Sequence, residues 1–125
     1  MKFKPRQLSE VVADLKKLPY VQAIILFGSQ ARGTARQDSD IDIAVITREA
    51  TEEQEWDIVE KTDELDINTF SRLPLIIQFR VIKEGKILFI RNREVLEEVQ
   101  LKTIRNYLDF EPFIERMCRS VIANV

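Results

Sequence analysis

The chain has 125 residues, 45% hydrophobic and 32% charged, with a formal net charge of −2 at pH 7. That suffices for a single domain over residues 1–125 with one core, and it argues against general polyanion binding, which needs a clustered cationic face. Histidine is absent and cysteine occurs once, at Cys118, so Ser-His and Cys-His nucleophiles, His-based zinc sites and an internal disulfide are all excluded.

Cys118 reads as a core or half-buried helix residue. A reducing, cytoplasmic setting is the natural expectation for such cysteine usage. No window approaches about 20 consecutive apolar residues, so no membrane span is expected. The basic N-terminus lacks the apolar run of a signal peptide. Any catalysis must use carboxylates, hydroxyls, basic side chains or bound ions.

In chain order, Leu8, Val11, Val12, Leu15 and Leu18 recur at helical spacing and predict a helix over 8–18, ended by Pro19. The short branched run 21–27 predicts a buried strand, and Gly28 punctuates it. Residues 30–33 suit one helical turn, then loop. Residues 40–46 begin with polar–apolar alternation and become apolar, as an inner strand does. Residues 51–65 predict an acidic helix with Thr51 as N-cap.

Residues 64–70 alternate again, with Leu65, Ile67 and Thr69 on one face and Asp66 and Asn68 on the other. Residues 73–85 predict a helix with Pro74 in its first turn and Gly85 at its end. A short strand over 86–90 and a helix over 92–110 follow. Pro112 should kink or restart that helix, because its ring clashes with the carbonyl four residues back. The result is an α/β fold: a sheet of about four strands, mixed because the first connection is too long for a tight hairpin, with flanking helices and a C-terminal helical segment.

Residues i and i+2 of a strand point to the same side. Asp40 and Asp42 therefore project together, while Ile41, Ile43 and Val45 face the other way. Two carboxylates that close repel each other, and a hard divalent cation removes the penalty. Such pairs serve phosphoryl and nucleotidyl transfer. Asp66 is the same kind of residue on another predicted strand; if the strands are neighbours, three carboxylates converge. Read alone, such a pair is more often a solvated surface feature. Gly28 lets a backbone approach a ligand closely, Ser29 adds a hydroxyl donor, and free N–H groups at the start of a short helix after it would hold an anion. Arg32 and Arg36 fit either a triphosphate contact or a loop-stabilising one.

Gly28-Ser29, ten residues, then Asp40-Ile41-Asp42 resembles the G-S-x10-D-x-D signature of the DNA polymerase β-type nucleotidyltransferase superfamily. Asp66 sits where that family's third carboxylate falls. The small size, "GSQARG", "SDIDIAV" and the C-terminal "YLDF" region resemble the minimal nucleotidyltransferase (MNT) antitoxins, whose partner is a HEPN-domain ribonuclease toxin.

The resemblance implies a polymerase β-type fold and two Mg²⁺ ions held by Asp40, Asp42 and Asp66. It implies ATP as substrate, gripped through Gly28, Ser29 and Arg32, and AMP transfer to a tyrosine of the toxin, with Asp66 taking up the acceptor proton. It further implies a hetero-oligomer with the toxin and no direct nucleic acid or membrane contact.

About 55 residues follow Phe70, and most are needed to cover the sheet. That leaves little for a deep acceptor pocket, so a protein acceptor suits the chain better than an antibiotic or other small hydroxyl compound. Neutralisation by binding alone is a third reading. The apolar positions Leu101, Ile104, Leu108, Phe113 and Met117 read first as core and second as a docking face.

Overall fold

The structure, a computed structural model, describes residues 5–28, 41–59 and 65–123. The first elements are α1 (Pro5–Lys16), β1 (Val21–Phe27), β2 (Asp42–Thr47) and α2 (Glu52–Val59). They are followed by β3 (Asp66–Thr69), a 3-10 turn (Phe70–Arg72), α3 (Leu75–Glu84), β4 (Lys86–Ile90) and α4 (Arg93–Ala123).

The described strands form a four-stranded sheet in the order β3-β2-β1-β4. β1 is antiparallel to both β2 and β4, and β3 is parallel to β2. The sheet is mixed, as expected, although the long first connection joins an antiparallel pair and the parallel one is β2 with β3. The parallel pair arises because α2 carries the chain back across the sheet, the connection that parallel neighbours require.

Strand alternation divides the core into two layers. Ile24, Ile43, Val45 and Ile67 point to one side, where Leu15 of α1 and Ile58 of α2 meet them. Ala23, Ile25, Ala44 and Ile46 point to the other, against Val81 of α3 and Val95 and Leu96 of α4. Ile24, Ile43, Ile58 and Leu96 are fully buried, each such side chain contributing about 1.5–3 kcal/mol.

Close packing on the second side explains Gly85, which ends α3: a Cβ there would collide with Ile25 Cγ2 and the Val81 carbonyl. Thr51 does cap α2. Its Oγ1 accepts from the Gln54 N–H at 3.1 Å, and its own N–H donates to Gln54 Oε1 at 2.8 Å, a reciprocal capping box.

Three expectations are corrected. Pro112 does not restart the helix: α4, 31 residues long, continues through it. Proline deletes one ladder bond, and because this stretch of α4 is exposed, the freed carbonyl can be hydrated rather than orphaned. Cys118 is exposed, not core. Finally, Leu101, Ile104, Leu108, Phe113 and Met117 are exposed and do not form one stripe. At about 100° per residue, Leu101, Ile104 and Leu108 share one side. Phe113 and Met117, with exposed Phe110 and Val121, continue the opposite side, which Val95, Val99 and Thr103 turn inward within the domain. The inner stripe thus outlasts the sheet it packs on.

Candidate active site

The site forms where β1 ends and β2 and β3 begin. In the antiparallel pair Phe27 lies opposite Asp42, and in the parallel pair Asp42 lies opposite Asp66. The Asp66 N–H donates to the Ile41 carbonyl at 2.8 Å and locks that register. Cross-strand partners project on the same side, so Phe27, Asp42 and Asp66 form one row. The next row is Ile25, Ala44 and Asn68, so the acidic row lies at the margin of the α3/α4 core layer. Asp42 is half-buried there and Asp66 is exposed.

Gly28 turns the chain away from β1 with φ of 77°, a left-handed conformation that disfavours any residue with a Cβ. A Cβ at Gly28 would lie 2.6 Å from Asp42 Oδ2. The glycine therefore makes room for a carboxylate of the protein itself. The sequence signalled close approach at Gly28 but not what approaches it.

Asp42 and Asp66 stand about one strand spacing apart, near 4.8 Å between backbones, and their charges repel. Their donor set is all oxygen, one carboxylate cradled on Gly28 and the other open to solvent, which suits a hard divalent cation. Among the described residues no group of three or more Asp, Glu, His or Cys converges. Asp40, Ser29, Arg32 and Arg36 lie outside the described residues, so the structure brings together Gly28, Asp42 and Asp66 from the expected set.

Other notable side chains are held as follows. Asn68 follows Asp66 on the same face, its Nδ2 donating to the Asp66 carbonyl at 3.3 Å. A cleft between α2 and β3 carries Trp56. Tyr107 stacks on Phe79 at 3.8 Å between ring centroids. At the opposite end of the sheet, next to Arg48, Tyr20 packs against the core; burial, and then the nearby Asp57 carboxylate, hold its phenol above the usual range.

A mixed sheet that presents paired carboxylates beside a glycine turn is the scaffold of a nucleotidyltransferase. The chain belongs to the family described as Polymerase beta, Nucleotidyltransferase, whose model matches residues 9–94. It is similar to the protein adenylyltransferase MntA of Shewanella oneidensis, with 27% identity over 113 residues, 86% of this chain and 81% of MntA.

Solved structures share the fold. A toxin–antitoxin crystal structure with AMP-PNP superposes with a TM-score of 0.74 at 24% identity, over 96% of this chain and 99% of that one. A complex of tri-AMPylated Shewanella oneidensis HEPN toxin with MNT antitoxin superposes with a TM-score of 0.68 at 22% identity, over 94% of each chain. Among the described residues no helix is long and apolar enough to cross a membrane.

Proposed function

We propose that this chain is an antitoxin that transfers AMP from ATP to a tyrosine hydroxyl of a cognate HEPN-domain toxin and so neutralises it. The observation that carries this reading is the register of Asp42 against Asp66 beside Gly28. It occurs in a nucleotidyltransferase-family chain whose similar relative is a protein adenylyltransferase. The AMP-PNP complex and the AMPylated HEPN toxin among its structural neighbours support the same nucleotide and the same class of acceptor.

Asp40, Asp42 and Asp66 would hold magnesium. When bound, the metal supplies charge neutralisation on the triphosphate and a more acidic acceptor hydroxyl. The remaining work falls to the chain. The Gly28 turn keeps backbone clear of the Asp42 carboxylate, and Ser29 and Arg32 meet the phosphates. Asp66, open to solvent at the edge of the sheet, faces the acceptor and takes its proton. The phenolic oxygen forms a bond to the α-phosphorus, the bond from that phosphorus to the β-bridging oxygen breaks, and pyrophosphate leaves.

The test is incubation of the chain with ATP, Mg²⁺ and the product of the neighbouring gene, expected to be a HEPN-domain protein, followed by intact-mass measurement. A gain of one or more AMP units on the partner, lost in Asp42→Asn, is the expected result. Neutralisation without any mass gain, unchanged in Asp42→Asn, would assign occlusion instead. AMP appearing only on a small hydroxyl compound would assign the antibiotic-type reaction.

A further inference from the structure

Beyond Thr103, α4 carries its apolar side into the open. Phe110, Phe113, Met117 and Val121 are 37%, 47%, 53% and 64% exposed, and they continue the side that Val95, Val99 and Thr103 turn inward. At the foot of this face a recess of about 310 Å³ opens between α4, α3 and the 3-10 turn, walled by Phe70, Ser71, Gln78, Lys102, Thr103 and Asn106. We infer that the recess and the apolar face beyond it are the seat of the acceptor protein, which is held there by an apolar patch of its own while its target side chain reaches Asp66. This rests on the reading of the chain as a protein-modifying transferase.

The outer half of α4 has the makings of a docking element. Its opposite side is charged and solvated, with Glu115 and Arg119 paired at 3.8 Å across one turn. An amphipathic helix whose apolar side meets solvent lacks the layer that would cover it. Phe110 and Phe113 stand with ring centroids 5.4 Å apart and present one aromatic surface, with Met117 beside them; aromatic residues and methionine are enriched at protein interfaces. Lys102, at the foot, has no ion-pair partner among the described residues, so an acidic side chain of the acceptor would be met there.

Three observations point to the acceptor as the occupant. First, the segment matched by the nucleotidyltransferase family is 9–94 and stops where α4 begins. The fold shared with the toxin–antitoxin structure extends over 96% of this chain, most of α4 included. The helix therefore lies outside what the family at large shares and inside what a toxin-partnered fold shares.

Second, the recess is close to the site. Phe70 lies on the α3/α4 side of the sheet, the side onto which Asp66 projects, and it follows β3 directly. Four residues of strand put it about 13 Å from Asp66, a distance that one domain of about 100 residues, with a radius of gyration near 13 Å, spans easily. Third, a second copy fits poorly. The four open side chains offer on the order of 400 Å², so pairing the face with itself would bury about 800 Å² in all, short of the about 1,200 Å² at which specific interfaces begin. An acceptor that also reaches Asp66 adds further contact.

Seating the acceptor away from the reacting atoms separates affinity from chemistry. The apolar face contributes equally to the ground state and the transition state, so it lowers KM for the protein and leaves kcat alone. Asp42 and Asp66 then act on the hydroxyl that the seated protein presents.

The experiment uses the full chain and the product of the neighbouring gene. The double variant Phe113→Glu/Met117→Glu charges the face without entering the core, so the melting temperature of the free chain should stay within about 3 °C. KM for the protein acceptor should rise at least about tenfold, while KM for ATP and kcat at saturating acceptor stay within about twofold. Lys102→Glu should raise the same KM several-fold. Hydrogen exchange over residues 106–121 should slow at least about tenfold in the complex.

An unchanged acceptor KM in the double variant would overturn the inference while transfer itself stands. So would a complex whose exchange over 106–121 equals that of the free chain. A free chain that sediments as a dimer, and as a monomer in the double variant with acceptor KM unchanged, would assign the face to a second copy instead. Absence of any complex or transfer with the unaltered chain would overturn the functional reading beneath it.

Discussion

Asp42 and Asp66 lie directly opposite each other on parallel strands, with the Asp66 N–H bonded to the carbonyl of Ile41. Two carboxylates held that way by backbone cannot relax apart by rotating the strands. A hard divalent cation, as proposed, would offset their repulsion.

Replacing Asp66 by Asn should therefore separate chemistry from folding. The side chain is exposed, so the melting temperature without metal should hold or rise as the repulsion disappears. AMP transfer should fall at least about a hundredfold through kcat, the scale of a lost general base. Mg²⁺ at ten times its dissociation constant should stabilise the wild-type chain by about 1.4 kcal/mol. Thermal denaturation with and without Mg²⁺ should show that gain shrink in the variant.

Gly28→Ala should damage both stability and activity. The left-handed backbone, φ 77°, costs a residue with a Cβ about 1–2 kcal/mol. The new methyl also meets Asp42 Oδ2 at 2.6 Å and must displace that carboxylate. Chemical denaturation should show the first effect. A drop of tenfold or more in AMP transfer, larger than the stability loss explains, should show the second.

Arg91 offers a purely structural counterpart. From the end of β4 its Nε donates to the Val21 carbonyl at 2.8 Å, and its Nη2 donates to the carbonyls of Lys16 and Leu18, the latter at 3.3 Å. These acceptors include the unsatisfied C-terminal end of α1. Arg91→Met should cost about 1–3 kcal/mol by denaturant titration while leaving kcat of the folded enzyme within twofold.

Tyr20 sets an alkaline limit. Its phenol is held above the ordinary value of 10.0, first by burial and then by Asp57. The folded state thus keeps the proton more tightly than the unfolded one. The stability this provides is fully present below the unfolded pKa and is lost as pH rises through the folded one. Unfolding free energy should decline above about pH 10 and decline less in Tyr20→Phe, as read by denaturant midpoints across that range.

Much of the architecture was legible residue by residue. The branched run 21–27 and the short run 86–90 coincide with β1 and β4, because strand propensity and clean flanking punctuation agree there. The alternation of Leu65 through Asn68 predicted the buried and open faces of β3, and the spacing of Gly28 from Asp42 predicted the family. Of the expectations for α4, a restart at Pro112 and core placement of the apolar positions on either side of it failed. Helical periodicity says that residues share a side; it does not say whether anything lies beneath them. There the inner stripe passes the end of the sheet, and Phe110, Phe113 and Met117 meet solvent.

By itself the chain's order of residues determined that Asp42 and Asp66 would lie on strands and face away from their flanking isoleucines, since side-chain direction follows a local period of two. It also determined that a glycine would end β1. Which strand lies beside which, and in what register, was decided only by the tertiary structure, because hydrogen bonding between strands pairs residues that the local pattern leaves independent. Placing β3 parallel to β2 turned two separated aspartates into one acidic row.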